Sequence, residues 1–223
     1  MTVGIIMAAG TGNRFKSEIP KQFCMLGDKP VINYCLKSFE KSHLIDNCLI
    51  MVPTNWQEEV KKMIEGFRKP KWVLPGGATR HETSLIALEF LRDINPSVVV
   101  FHDAARPFLR VKLLNRVIEE AHLFGAATAA IPVNDTVVYA KDMFVNNYLS
   151  REGLYRIQTP QAFAFEIALN AFERFHANDG TEPVLLSGGK VRIVPGDLLC
   201  FKITYPDDLQ FAQFVYPTWN ELD

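Results

Sequence analysis

The sequence predicts an α/β protein built on a Rossmann-like, doubly wound, mostly parallel sheet with a protruding β-arm. Three observations carry this. Short β-branched or apolar runs recur at residues 3–7, 48–52, 72–74, 98–102 and 126–133. Segments with helical spacing and charged faces lie between them, which is the alternation of a parallel sheet. After residue 133 that rhythm gives way to two short strand-like runs around a turn.

In chain order, the run Val3-Gly4-Ile5-Ile6-Met7 reads as a buried strand leading into a glycine-containing turn. Helices are expected at 31–41, 56–67, 80–92, 112–124 and 165–176. In the third, Leu85, Leu88 and Leu91 recur at i, i+3 and i+6, a core-facing spacing rather than a ligand-binding one. Beyond Val133, the stretch Asp135-Thr136-Val137-Val138-Tyr139-Ala140, a turn at Lys141-Asp142 and the run 144–149 predict a hairpin arm over about 134–158. An isolated two-stranded ribbon is marginal in water, so the arm should pack on a second copy and make a homodimer. Residues 201–204 read as a strand around Lys202, and 216–223 as a loosely held tail. The whole of 1–223 is expected to form one domain.

With 223 residues and 48% hydrophobic composition, the chain can build a sizeable core. Its net charge of −1 provides no broad basic field, which argues against nucleic acid or an anionic membrane as partner. No stretch approaches the ~18 apolar residues of a membrane span, and the N-terminus enters a strand without a basic leader, so a cytoplasmic protein is expected. Cys24, Cys35, Cys48 and Cys200 show no CxxC spacing and no histidine at metal-ligand distance, as reduced thiols would.

Open parallel sheets bind ligands beyond the carboxyl ends of their strands. After the first strand stand Ala8, Ala9, Gly10, Thr11, Gly12 and Arg14, with Lys21 following. Glycines that let the backbone approach an anion, followed by two cations, describe a polyphosphate cradle; a tight strand-to-helix turn is the alternative. The loop lacks the third glycine of GxGxxG and is not GxxxxGK[ST]. After 72–74 come Gly76, Gly77 and Ala78 with Thr83 one turn on, suited either to reading a base edge or to a plain loop capped by Thr79. Asp103 ends the run 98–102, placed for a ribose hydroxyl, a metal-bound water, or an ion pair with Arg106. Arg151 and Lys202 are cations in uncharged surroundings, and burying Lys202 would demand an anion.

Taken in order, AAGTGNRF and PKQF within 8–23, GGATRHET at 76–83, HDAARPF at 102–108, PVNDT at 132–136, the arginine and QTPQAF within 151–163, and FKITYPDDL at 201–209 resemble the 2-C-methyl-D-erythritol 4-phosphate cytidylyltransferase family. The resemblance implies a nucleotidyltransferase fold of the glycosyltransferase-A-like kind. It also implies transfer of a cytidylyl group from CTP to a polyol phosphate with release of pyrophosphate, assisted by Mg²⁺ or another divalent cation. By motif, Arg14 and Lys21 would be catalytic cations beside a triphosphate cradled by residues 8–12. Gly77, Ala78 and Thr83 would meet cytosine, and Asp103 the ribose and, directly or through the CTP phosphates, the metal. Asp103, Ala104, Thr136, Arg151 and Lys202 would hold the polyol phosphate, Arg151 and Lys202 serving catalysis as well. In the family the arm reaches the partner subunit. This chain has Thr83 where the family usually has serine, a different segment at 178–183, and Phe201 ahead of Lys202. Its Arg80-His81-Glu82-Thr83 stretch leans towards the related ribitol 5-phosphate cytidylyltransferases. A third alternative is a non-catalytic nucleotide-binding protein that has kept the fold.

Overall fold

The computed structural model describes residues 1–222 apart from Thr11, Asn13 and Lys16, with only the backbone at 220–222. The chain opens with β1 (Thr2–Met7), passes a single 3₁₀ turn at Lys21–Phe23, and forms a small ribbon of β2 (Met25–Leu26) and β3 (Lys29–Pro30) before α1 (Val31–Lys41). It continues through β4 (Asn47–Val52), α2 (Gln57–Met63), β5 (Pro70–Pro75), α3 (Arg80–Leu91) and β6 (Val98–Asp103). Next come α4 (Val111–Phe124), β7 (Ala126–Pro132) and the arm strands β8 (Val137–Lys141) and β9 (Phe144–Leu149). The chain closes with β10 (Tyr155–Ala164), α5 (Phe165–Arg174), α6 (Thr181–Leu186), β11 (Arg192–Pro195) and α7 (Pro206–Leu222).

A seven-stranded sheet in the order β11-β7-β10-β6-β1-β4-β5 forms the centre. Pairing is parallel except for β10, which runs antiparallel to both β6 and β7. Period-two alternation sorts the strand residues between two cores. Ile6, Ile50, Val98 and Val100 pack with α1, α2 and α4, while Ile5, Leu49, Val99 and Phe101 pack with α3, α5 and α6. A third cluster, of Phe15, Phe108, Ile203, Ala212 and Trp219, joins α7 to the start of the chain.

Four expectations need correcting. The arm is shorter than 134–158: Val133 donates its N–H to the Leu154 carbonyl at 3.0 Å, closing the neck, and Tyr155–Ile157 already pair with β7. The helix expected at 56–67 splits into a 3₁₀ turn at Thr54–Trp56 and the shorter α2. Residues 201–204 are not a strand, because the N–H groups of Thr204 and Tyr205 donate to the Asp208 carboxylate at 2.7 and 2.8 Å instead of to a neighbouring strand. Of the tail expected at 216–223, residues 216–222 are the end of α7 and Asp223 lies outside the described residues; Trp219 is 4% exposed against Phe108.

Candidate active site

The carboxyl ends of β1, β5 and β6 open on a cleft of about 380 Å³. Its first wall is the loop after β1. Ala9, Gly10, Gly12, Arg14 and Lys21 line it; Thr11 lies outside the described residues. Gly12 has φ +70°, a conformation that L side chains rarely adopt, and its carbonyl accepts from the Phe15 N–H at 2.7 Å to close the turn. Ala8, expected in the cradle, is buried, and its carbonyl accepts from the Gln22 carboxamide. The Arg14 guanidinium lies 5.9 Å from the Tyr205 ring centroid, within cation–π range. Burial, followed by the neighbouring charges of Lys202 and Arg14, lowers the Lys21 pKa to about 8 even though Asp103 and Asp208 oppose the shift.

The second wall is the turn between β5 and α3. A side chain at Gly76 would collide with Ala9 Cβ and the Thr83 hydroxyl, so glycine here lets the two ligand-facing loops touch. Thr83 Oγ1 donates to the Thr79 carbonyl at 2.8 Å and accepts from the Gly77 N–H at 3.1 Å. Its single proton is thereby used, and what it offers the cleft is a lone pair. The Ala78 N–H is likewise engaged, donating to Glu82 Oε2 at 2.8 Å, while Thr79 Oγ1 caps α3 by accepting from the Glu82 N–H at 3.1 Å. Thr79 thus caps the helix, while Gly77, Ala78 and Thr83 line the cleft. The stretch that leans towards ribitol phosphate enzymes has structural work. Arg80 pairs with Asp103, His81 stacks on Phe172 with ring centroids 5.9 Å apart, and Glu82 braces the turn.

At the end of β6, Asp103 is nearly inaccessible and faces three cations. Arg80 Nη1 is 2.5 Å from Oδ1, and Lys202 Nζ and Arg106 Nε are 2.9 and 3.5 Å from Oδ2. Burial alone would raise the Asp103 pKa, but Arg80, Lys202 and Arg106 together hold it well below the usual carboxylate range. This is the anion that Lys202 requires. Behind it, fully buried His102 places Nε2 3.1 Å from the Arg106 carbonyl and Nδ1 3.1 Å from Thr159 Oγ1, which accepts from the Asp103 N–H at 3.0 Å. Burial pushes the His102 pKa down to about 4 and keeps the ring neutral, so Nε2 donates to the carbonyl and Nδ1 accepts from the hydroxyl.

Not every expected residue reaches the cleft. Ala104 is fully buried, its N–H donating to the Met7 carbonyl at 3.1 Å, and Ala105 lines the cleft in its place. Thr136 and Arg151 are exposed on the arm and do not line this chain's own cleft; Arg151 Nη1 donates to the Asn134 carbonyl at 2.5 Å. The variant segment 178–183 does not line it either: Asp179 accepts from the Thr181 N–H and from the Gln161 carboxamide, and so starts α6. Sequence reasoning missed Arg80, Thr204 and Gln22, though Gln22 stands beside Lys21 in the PKQF run. Among the described residues, no group of three or more His, Cys, Asp or Glu side chains could hold a metal ion. Asp103, the single acid among the described residues lining the cleft, already has both oxygens engaged by cations. The side chains alone therefore do not make a divalent-cation cage.

Comparison with known proteins places this geometry. A family model for 2-C-methyl-D-erythritol 4-phosphate cytidylyltransferase matches residues 2–217. A protein of that name from Thermotoga neapolitana is 40% identical over 223 residues, covering 100% of both chains. The crystal structure of 4-diphosphocytidyl-2C-methyl-D-erythritol synthase from Anaerococcus prevotii superposes with a TM-score of 0.85 at 26% identity, covering 97% of this chain and 96% of that one. The Thermus thermophilus cytidylyltransferase gives 0.76 at 28% identity, covering 96% and 98%. The family match runs through every loop that walls the cleft, and the chain accordingly belongs to the 2-C-methyl-D-erythritol 4-phosphate cytidylyltransferases, a family of nucleotidyltransferase enzymes.

Proposed function

We propose that this protein transfers the cytidylyl group of CTP to 2-C-methyl-D-erythritol 4-phosphate, giving 4-diphosphocytidyl-2-C-methyl-D-erythritol and pyrophosphate in isoprenoid precursor synthesis. The observation that carries this reading is the convergence of Arg14, Lys21 and Lys202 on one cleft, between a glycine turn and the Gly77-Ala78 loop. A phosphate monoester has its second pKa near 6 and is largely a dianion at neutral pH. One of its oxygens attacks the α-phosphorus of CTP, the bond to the oxygen bridging the α- and β-phosphorus breaks, and pyrophosphate leaves with that electron pair. No protein nucleophile or base is needed, so catalysis consists of alignment and charge stabilisation. Arg14 and Lys21 meet the charge that builds on the phosphoryl oxygens, and the part-buried setting that lowers the Lys21 pKa strengthens its pull on an anion.

The acceptor-only face of Thr83 Oγ1 suits the exocyclic amine of cytosine and disfavours the O4 carbonyl of uracil. Asp103 holds Lys202 towards the acceptor phosphate. Mg²⁺, were it bound, would neutralise charge on the CTP phosphates, and the ligands that the side chains do not supply would have to come from those phosphates. That Thr136 and Arg151 are exposed and do not line their own cleft supports a homodimer in which each arm completes the partner's acceptor site. CTP is drawn from the cytoplasm, where we place the enzyme.

Purified protein with CTP and Mg²⁺, offered methylerythritol phosphate and ribitol 5-phosphate in separate reactions, tests the assignment through pyrophosphate release. Release with methylerythritol phosphate is expected. Release with ribitol phosphate alone, or with neither, overturns it.

A further inference from the structure

Gln22 is 2% exposed, and its Nε2 lies 2.5 Å from the Ala8 carbonyl and 3.0 Å from the Gly10 carbonyl. Carbonyls only accept, so both amide hydrogens of this carboxamide point into the first loop. The two oxygens are thereby drawn to one side of the turn. A trans peptide places its C=O and N–H on opposite sides, so drawing the Ala8 carbonyl inward turns the Ala9 N–H outward, and Ala9 lines the cleft.

Gln22 also has a rigid base. It sits in the 3₁₀ turn Lys21–Phe23, whose last residue is buried and stacks on Trp56 with ring centroids 4.2 Å apart. The residue before it is Lys21. One short turn therefore sends a cation into the cleft and, with the next side chain, fixes the backbone that cation faces.

We propose that Gln22 is a positioning residue that holds the first loop in its anion-receiving shape and in register with Lys21, so that its effect falls on the polyphosphate part of the nucleotide and not on the nucleoside. This rests on the CTP reading above and assigns the cradle's shape to a side chain outside the loop.

The test compares binding of CTP and of CMP, which lacks the β- and γ-phosphates, to wild-type protein, Gln22→Met and Gln22→Glu. Methionine keeps the length without the donors; glutamate keeps the shape and turns the donors into acceptors facing two carbonyls. Losing one to two neutral hydrogen bonds predicts CTP affinity about tenfold weaker in the methionine variant. A larger loss is expected for glutamate, with CMP affinity within about twofold of wild type in both. Retained CTP affinity overturns the proposal, and so does an equal fall for CTP and CMP. Failure of both variants to fold overturns it too, by assigning Gln22 to the fold. Wild-type protein that does not bind CTP would sink the cytidylyl reading itself, whereas wild-type binding with indifferent variants sinks only the role of Gln22.

Discussion

Lys21, in the role proposed for it, trades stability for an anion. Its pKa of about 8 in the folded chain lies below the ordinary 10.5, so the charged form is the disfavoured one there. Between about pH 8 and 10.5 the unfolded chain binds more protons than the folded one, and this residue's contribution to stability improves as pH rises through that window. Activity moves the other way. In the proposed reaction Lys21 meets phosphate as the ammonium, so kcat/KM is expected to fall about tenfold per pH unit above the free-enzyme value near 8. A bound triphosphate favours the ammonium, so the corresponding limb of kcat should lie at higher pH. Steady-state rates from pH 6 to 10 check both limbs, and Lys21→Arg, whose charge does not titrate in that range, should remove the one in kcat/KM. A kcat/KM limb unchanged by that substitution would detach it from Lys21. Arg14, Lys21 and Lys202 were legible in the sequence one by one, and Arg80 was not. Nor was the pairing: Arg80 and Lys202, 122 positions apart, meet on Asp103 only because α3, β6 and the loop before α7 converge.

At the scale of elements, the arm is the part whose purpose its own contacts do not explain. Tyr139, Met143, Phe144, Val145 and Tyr148 are exposed on β8, β9 and the turn between them, an apolar surface that a two-stranded ribbon would not keep in water without a partner. If each arm completes the other protomer's site, Arg14→Ala and Arg151→Ala damage opposite halves of the interface. Mixing the two inactive variants after subunit exchange should restore about a quarter of wild-type sites, since half the dimers are hybrids and each hybrid keeps one intact site. Pyrophosphate release from the mixture reads this out. Inactivity after verified exchange would place Arg151 in its own protomer's site. The hairpin was visible from its alternation and from the Lys141-Asp142 turn. Its true end was not, because β10 begins as Tyr155-Arg156-Ile157 and carries Gln158, Thr159 and Gln161, polar residues that a buried strand rarely holds. They are tolerated because tertiary partners engage them: Gln158 bonds the Asp197 backbone, Thr159 the His102 ring, and Gln161 Nε2 the Asp179 carboxylate, although Gln161 Oε1 is left without a hydrogen bond.

Across the whole molecule, α7 ties the two ends of the chain together. Trp219 packs on Phe108 with ring centroids 5.4 Å apart and lies 4.9 Å from the Arg110 guanidinium, in the cluster that also holds Phe15 of the first loop and Ile203 beside Lys202. Trp219→Ala should cost roughly 3–5 kcal/mol, the range for a buried large aromatic, with denaturant unfolding as the measure. A change within about 0.5 kcal/mol, as for an ordinary surface substitution, would return these residues to the status of a loose tail. By itself the sequence determined the parallel core strands, the glycine turn with its two cations, and the order of the ligand-facing loops. Those features are written in local patterns: apolar runs, helical spacing, and glycines followed by charge. Tertiary structure decided which strand runs antiparallel, why Trp219 is buried, and which cations share one carboxylate. These depend on partners far apart in sequence, and a burial cost is offset only where such partners meet in space.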